Sequence, residues 1–325
     1  MKKSTVLLMA LMLGVLLMGG CTSKDNDDAK SKENPFEDYE SEATVEGTSQ
    51  EKIAVSCNVA EAPENMTFEY NGKPIEFDYV FESDGNCEMG LAIFINGYIQ
   101  QFTVDSKKTQ LHKEKLKDNQ TSQFSIKLSP NTGKKGENMQ LIFANIFNPK
   151  IIHLSGGINT FGNNHNVFQP MPWTIKMNAD AKETDKKVKN NYKEIPLTKE
   201  ELDGFITVDK DGNRRNKLDQ GMEFVMNYGK EQRPVVSIKK DKSIKYTLLG
   251  NFPGKYRVSF FGDFKHIKIN GGYYTDIDVK NDNKYEIDIP LKENNLDKYD
   301  NFYGIAVPIN NNNGLIKSHS IYMGD

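Results

Sequence analysis

The sequence predicts an all-β protein built as two tandem β-sandwich domains, and three observations predict it. Apolar residues recur at every second position through most of the chain, the period of a half-buried strand. Two Asn-Gly pairs, Asn71-Gly72 and Asn96-Gly97, fall between such runs, and this dipeptide favours the positive φ values of a tight hairpin. A polar stretch, Asn178 to Glu194, then separates two sets of strands, giving a division into 1–20, 21–50, 51–177, 178–194 and 195–325.

In the first set, Ile53 to Val59 alternates through Ile53, Val55, Cys57 and Val59. Met66 to Phe81 reads as a hairpin turning at Asn71-Gly72, and Leu91 to Val104 as a second one turning at Asn96-Gly97. Further strands are expected at Phe124 to Leu128, Leu141 to Phe147 and Trp173 to Met177. About seven short strands separated by turns match a sandwich. The stretch 178–194 carries Lys182, Lys186, Lys187 and Lys189 among acids and has no apolar stripe, so it reads as a linker. The second set comprises Met222–Tyr228, Pro234–Ile238, Tyr246–Leu249, Lys255–Phe261, His266–Val279, Tyr285–Ile289, Phe302–Ile309 and Leu315–Tyr322. Within it Pro253-Gly254-Lys255-Tyr256-Arg257-Val258 resembles the turn-and-strand entry of immunoglobulin-like extracellular sandwiches. Tyr303, before Gly304 and Ile305, is a candidate tyrosine-corner residue on the same resemblance.

The first 20 residues say where the protein works. Lys2 and Lys3 precede an apolar run, Val6 to Met18, that is short of the roughly 20 residues a membrane span needs, so the segment reads as a signal peptide. Leu17-Met18-Gly19-Gly20-Cys21 resembles the lipobox of bacterial lipoprotein precursors, with Met18 and Gly19 standing where Leu and Ala or Ser are more usual. That resemblance implies cleavage before Cys21, lipidation of its thiol with long acyl chains such as palmitate, and stable attachment to the bilayer. From Thr22 to Gln50, three lysines against nine acidic residues leave a net charge of −6, with few large apolar groups. Such a composition buries too little surface to offset ordering entropy, and it predicts an acidic tether spanning about 30 Å as a coil. The whole chain carries −3, so the remaining body is close to neutral and offers no electrostatic footprint for nucleic acid.

Cys57 and Cys87 remain after the lipobox takes Cys21, and in an oxidising compartment they are a candidate disulfide or a pair of buried thiols. A bridge would close a loop of about 30 residues, worth roughly 3 to 4 kcal/mol in the chain-entropy view. No catalytic residue, metal-ligand set or cofactor is assigned. The chain has no Gly-x-Ser-x-Gly elbow, no His-Glu-x-x-His helix and no phosphate loop. Ser237 and Lys240 have Ser-x-x-Lys spacing but lie in a run expected to be extended, where residues three apart point to opposite faces. Asp209-Lys210-Asp211-Gly212-Asn213 begins like a calcium loop, but Arg214 stands where an EF-hand needs glycine, so it reads as a hairpin turn.

Two features suggest binding surfaces. Phe94 and Ile99 fall together on the face of the second hairpin opposite Leu91, Ile93 and Ile95, and Leu141 to Phe147 is apolar on both sides. A sandwich strand normally has one wet face, so these positions call for a cover, supplied by the second domain or by a protein partner. The segment His153 to Trp173 is rich in Gly and Asn, making Asn163, Asn164, His165 and Trp173 a candidate ligand loop. The resulting expectation is a lipid-anchored, non-catalytic binding or accessory module on the extracytoplasmic face of the cell membrane, serving an envelope or membrane protein. Its Lys- and Asn-rich composition favours a Gram-positive surface over an outer membrane. A carbohydrate-binding module using Trp173 and Tyr274, and a membrane-anchored envelope hydrolase, are the alternatives.

Overall fold

The alternation at the start of the body becomes a half-wet strand, β1 (Ala54–Val59), which buries Val59 and leaves Ser56 and Asn58 to solvent. The computed structural model describes residues 54–147, 167–168, 172–183, 188–227, 235–237, 240–309 and 314–324, all within the compact unit Gly47–Asp325. After β1 come β2 (Thr67–Tyr70), β3 (Ile75–Asp84), β4 (Cys87–Ile95), β5 (Tyr98–Ile99), β6 (Phe102–Val104) and β7 (Lys107–Thr109). They are followed by β8 (His112–Leu116), β9 (Gln120–Leu128), β10 (Asn138–Phe147), β11 (Val167–Phe168) and β12 (Trp173–Met177). One sheet runs β1-β3-β9-β6-β7, and the other runs β2-β12-β10-β4-β5 with β8 on β4 and β11 on β10. Tyr79, Phe81, Phe124 and Ile126 from the first sheet interleave with Leu91, Ile93, Leu141, Phe143 and Ile175 from the second to form one core.

The two Asn-Gly signals end differently. At Asn96-Gly97 both residues have positive φ, 45° and 75°, and Ile95 pairs with Tyr98 across a two-residue turn, as expected. Asn71-Gly72 is not a hairpin: β2 pairs in parallel with β12, while β3 pairs with β1 and β9, so the chain crosses between the sheets here. A local turn signal fixes where the chain reverses but not which strand receives it. Phe68 and Tyr70 are drawn to the second sheet because both bury into the shared core from that side.

The second half contains β13 (Lys193–Pro196), helix α1 (Lys199–Gly204), β14 (Ile206–Val208), β15 (Arg214–Asn216), β16 (Glu223–Met226), β17 (Val235–Ser237) and β18 (Ser243–Leu249). Then come β19 (Gly254–Gly262), β20 (Lys265–Ile267), β21 (Tyr274–Val279), β22 (Asn283–Pro290), β23 (Asn301–Pro308), β24 (Ile316–Lys317) and β25 (Ile321–Gly324). Its outer sheet runs β13-β22-β18-β16, and its inner sheet β17-β25-β23-β19-β20 with β21 on β19 and β24 on β23. Tyr246, Ile287, Tyr256, Val258 and Phe302 lie in the core between them. Helix α1 is started by a reciprocal capping box, Thr198 with Glu201, and its Leu202 packs with Phe205 against Leu218 and Leu249 at one side of the outer sheet.

The two halves repeat one topology. In each, an early strand pairs in parallel with the last one (β2 with β12, β17 with β25), and the opposite sheet follows one connection order. This is the two-sheet arrangement of immunoglobulin-like sandwiches. The repeat has one exception. The outer-sheet place held by β6 in the first half is filled in the second by β13, which comes from the segment before that sandwich. The stretch 178–194 is therefore built into the fold at both ends. Asn178 N–H donates to Tyr70 O, Ala181 N–H to Gly133 O and Lys189 N–H to Tyr274 O, and Lys193 opens β13; residues 184–187 lie outside the described residues.

Candidate functional site

Strands β4, β10 and β23 carry apolar side chains on both faces, and β19 adds Phe261 beside Arg257 and Ser259 on its second face; these second faces meet. Phe94, Ile99, Ile142 and Ala144 pack against Phe261, Tyr303, Ile305, Val307 and Leu315 in a third apolar layer between the two inner sheets. Within the unit Gly47–Asp325 four sheets are thus stacked. Phe94 is 0% and Ile99 1% exposed, so they are not a partner-binding patch: the second sandwich covers them. The physical reason is proximity along one chain, which gives the covering sheet face a high effective concentration.

A polar clamp orients this layer. Arg257, on β19, holds Asp276 with Nε and Nη2 at 2.7 and 2.6 Å, while its Nη1 donates to Asn96 O at 2.8 Å. Its guanidinium lies 3.6 Å from the ring centre of Tyr98, and Tyr98 meets Tyr274 edge-on at 5.0 Å. The Asn96-Gly97 turn of one sandwich is thereby fixed by a cation of the other. Gly97 serves both needs of the turn: its φ of 75° is left-handed, and a Cβ there would stand 2.7 Å from Arg257 Cβ. Burial raises the Tyr274 hydroxyl well above the usual phenol range.

The other sequence candidates resolve individually. Trp173 is buried in the first core, stacked on Phe68 at 5.4 Å and edge-on to Phe143 at 5.6 Å, so it offers no sugar platform. Tyr274 is likewise inside. Asn163, Asn164 and His165 lie outside the described residues, as do Cys21, the leader and the tether. Cys57 and Cys87 are free thiols, not a disulfide. They stand on strands of opposite sheets and take separate partners: Cys87 Sγ sits 3.1 Å from Ser83 Oγ, while Cys57 hydrogen-bonds the Tyr79 hydroxyl, which donates to Asn145 Oδ1 at 3.0 Å. Burial pushes the Cys57 thiol up to about 11, so it stays protonated and unreactive at neutral pH.

Asp209 accepts from the backbone N–H of Asp211 and Asn213, both at 2.9 Å, and lies 3.3 Å from Arg215, within the β14–β15 hairpin. Its oxygens are used in holding the turn, as the sequence suggested. Ser237 and Lys240 are not on one strand: Ser237 ends β17, and its Oγ accepts from Lys240 N–H in the turn that follows. Tyr303 is no tyrosine corner, since it stacks on Phe261 at 5.2 Å inside the layer between the sandwiches. Among the described residues no group of three or more His, Cys, Asp or Glu could hold a metal ion.

Sequence reasoning missed one constellation. Lys317 Nζ donates to Ser318 O and to Ser320 Oγ, each at 3.0 Å, and stands 4.5 Å from the Tyr303 ring centre. Burial lowers the Lys317 amine to about 7, and burial together with that amine lowers His319. A neutral amine beside a serine hydroxyl has the geometry of a base and nucleophile. Ser320 is 1% exposed, however, so its hydroxyl is not presented at the surface of the described residues. The signal was reachable only from the fold, because Lys317-x-x-Ser320 reverses the usual motif order and burial is not written in the spacing.

No protein-family model and no curated protein matches the sequence. Among solved structures, the E. coli chaperone DraB is 9% identical over 83% of this chain and 98% of its own, with a TM-score of 0.25. A Salmonella enterica SafA pilin–SafB chaperone complex is 10% identical over 85% and 97%, at 0.24. The CsuC–CsuE chaperone–tip adhesion subunit complex of Acinetobacter baumannii is 10% identical over 84% and 99%, at 0.21. Likeness of that size leaves function to be argued from the chain itself.

Proposed function

We propose that this protein is a non-catalytic binding module, held on the extracytoplasmic face of a bacterial membrane by lipidated Cys21, and that it engages a protein partner in the envelope. The observation that carries this reading is the join between the sandwiches: the inner sheet faces cover each other and Arg257 holds the turn between them, which leaves the body's outer faces as the surface free for a partner. Its outer faces are polar and pre-ordered. On the first, Asp78 accepts from Ser125 and Gln123, Glu82 from Ser56, and Glu76 pairs with Lys127. Such surfaces suit reversible contact rather than permanent burial. The carbohydrate reading loses its aromatic platforms with Trp173 and Tyr274 inside, and the hydrolase reading is left with a Lys317–Ser320 pair whose serine is buried.

The leader and the Leu17–Cys21 motif support the anchor, and fractionation tests it: Cys21→Ala is expected to move the protein from the membrane to the soluble fraction, and retention would reject the anchor. Photo-crosslinking residues at Gln123 and Thr121, both on the outer face, test the partner in intact cells. A single recurring crosslinked protein is the expected result. Absence of any crosslink from the outer faces of both sandwiches would reject the binding role.

A further inference from the structure

Every sheet has terminal strands, and proteins protect such edges with charge, proline or brevity. Here β7 carries Lys107 and Lys108; β13 carries Lys193, Glu194 and Pro196; β16 carries Glu223 and β2 Glu69; β20 carries Lys265; β17 is three residues long. β1 has none of these protections. It is six residues, Ala-Val-Ser-Cys-Asn-Val, without a charge or proline in a chain that is 27% charged, and among the described residues it pairs on one side only, with β3.

Its register says which groups are left over. Ala60 N–H donates to Asp78 O at 2.9 Å, in line with the β1–β3 pairing in which Ala54 opposes Asp84. Hydrogen-bonded pairs alternate along an antiparallel ladder, so Ala54, Ser56 and Asn58 bond to β3 and the N–H and C=O of Val55, Cys57 and Val59 point away from it. Those three residues form an odd-numbered, evenly spaced set centred on Cys57.

We infer that β1 is a homodimer edge: two copies of this chain pair β1 to β1 antiparallel about a two-fold axis through Cys57, joining their outer sheets. A two-fold pairing meets each strand with itself, which penalises any charge in it and requires a self-complementary order. β1 satisfies both. In the register with Cys57 opposite the partner's Cys57, Val55 opposes the partner's Val59 and all three outward N–H and C=O pairs are satisfied. Val55 and Cys57, only half-buried in one copy, gain apolar neighbours, and on the wet face Ser56 opposes the partner's Asn58 with no like charges in contact. The inference does not depend on the anchor or on the envelope partner.

Register-specific crosslinking of the full chain tests it. Ser56 and the partner's Asn58 would form a non-hydrogen-bonded pair with Cα atoms about 4.5 Å apart, within disulfide reach, whereas Ser56 and the partner's Ser56 would be diagonal at about 7 Å or more, beyond it. Because Cys57 would face the partner's Cys57 at about 5.5 Å, itself within disulfide reach, the test is made in a Cys57→Ser background: there, under mild oxidation, the double variant S56C/N58C is expected to give a crosslinked dimer on a non-reducing gel, and S56C alone is not. Both positions are exposed, so the fold should tolerate the changes, and unchanged melting verifies this. In the natural chain, amide exchange at Val55, Cys57 and Val59 should slow at least tenfold between dilute and concentrated samples, and S56K/N58K should abolish that slowing. A folded double variant that gives no dimer, equal crosslinking by S56C alone, or exchange independent of concentration would overturn the inference, the last pointing to cover by another segment of the same chain.

Discussion

The buried amine of Lys317 makes a pH-dependent instability that can be measured. In the unfolded chain this amine titrates at its ordinary 10.5, and in the fold burial brings it to about 7. At about 1.4 kcal/mol per pH unit the difference amounts to about 5 kcal/mol as an upper bound. Between pH 7 and 10.5 the unfolded chain binds the proton and the folded one does not, so this group makes stability rise with pH across that window. Below pH 7 both states bind it, and the cost is then constant and complete. Lys317→Met keeps length and apolar volume while removing the charge and its bonds to Ser318 O and Ser320 Oγ. Denaturant unfolding of the natural chain and the variant, from about pH 6 to about pH 10.5, isolates the group as the difference between the two. The variant is expected to be several kcal/mol more stable at pH 6. Its advantage should shrink through pH 7 to 10 and then turn to a small deficit, about 1 kcal/mol, from the serine hydroxyl and carbonyl left unpaired. A difference that does not change with pH, or a natural chain that is the more stable at pH 6, would refute the reasoning.

Two further substitutions test the layer between the sandwiches. Arg257→Met leaves Asp276 without its bidentate partner and frees the Asn96 turn, and is expected to cost about 3 to 5 kcal/mol in urea unfolding, with Asp276→Asn recovering part of that loss in the double variant. Replacing Phe94 and Ile99 together by Ser removes two fully buried side chains and should cost roughly 5 kcal/mol or more; a loss below about 1 kcal/mol would show that the second sandwich does not cover them.

Much of the fold was legible in the sequence because period-2 alternation is a direct imprint of half-buried strands, and β9, with Phe124, Ile126 and Leu128 in and Ser125 and Lys127 out, shows it plainly. Legibility failed where pairing partners are distant. Nothing around Asn71-Gly72 says that β2 will lie parallel to β12 about a hundred residues later, and nothing in Lys193–Pro196 says that it will complete the second outer sheet. The two covers left open at Phe94 and Ile99, the second domain or a partner, were decided by the fold in favour of the second domain, for a related reason. Phe94 and Ile99 correctly announced a second buried face, but a face does not name its cover. At the cysteines spacing left a bridge and a pair of thiols equally open, and only the fold decided, by placing Cys57 and Cys87 on facing sheets with different hydrogen-bond partners.

The exception in the repeat explains why the two sandwiches stay together. If the second had its own strand in the place of β6, the connecting segment would be free to act as a linker. Instead, Lys193–Pro196 occupies that place in the outer sheet, and Val188 and Lys189 just before it pair with Tyr274 on the inner sheet. Tyr274 also touches Tyr98 of the first sandwich and lies under the reach of Arg257. The connection, the clamp and the apolar layer therefore meet at one aromatic side chain, and loosening any of them exposes the others to water. Cooperation of that kind turns two sandwiches that could have been independent into a single body whose outer faces are polar and whose first outer sheet, among the described residues, ends at β1.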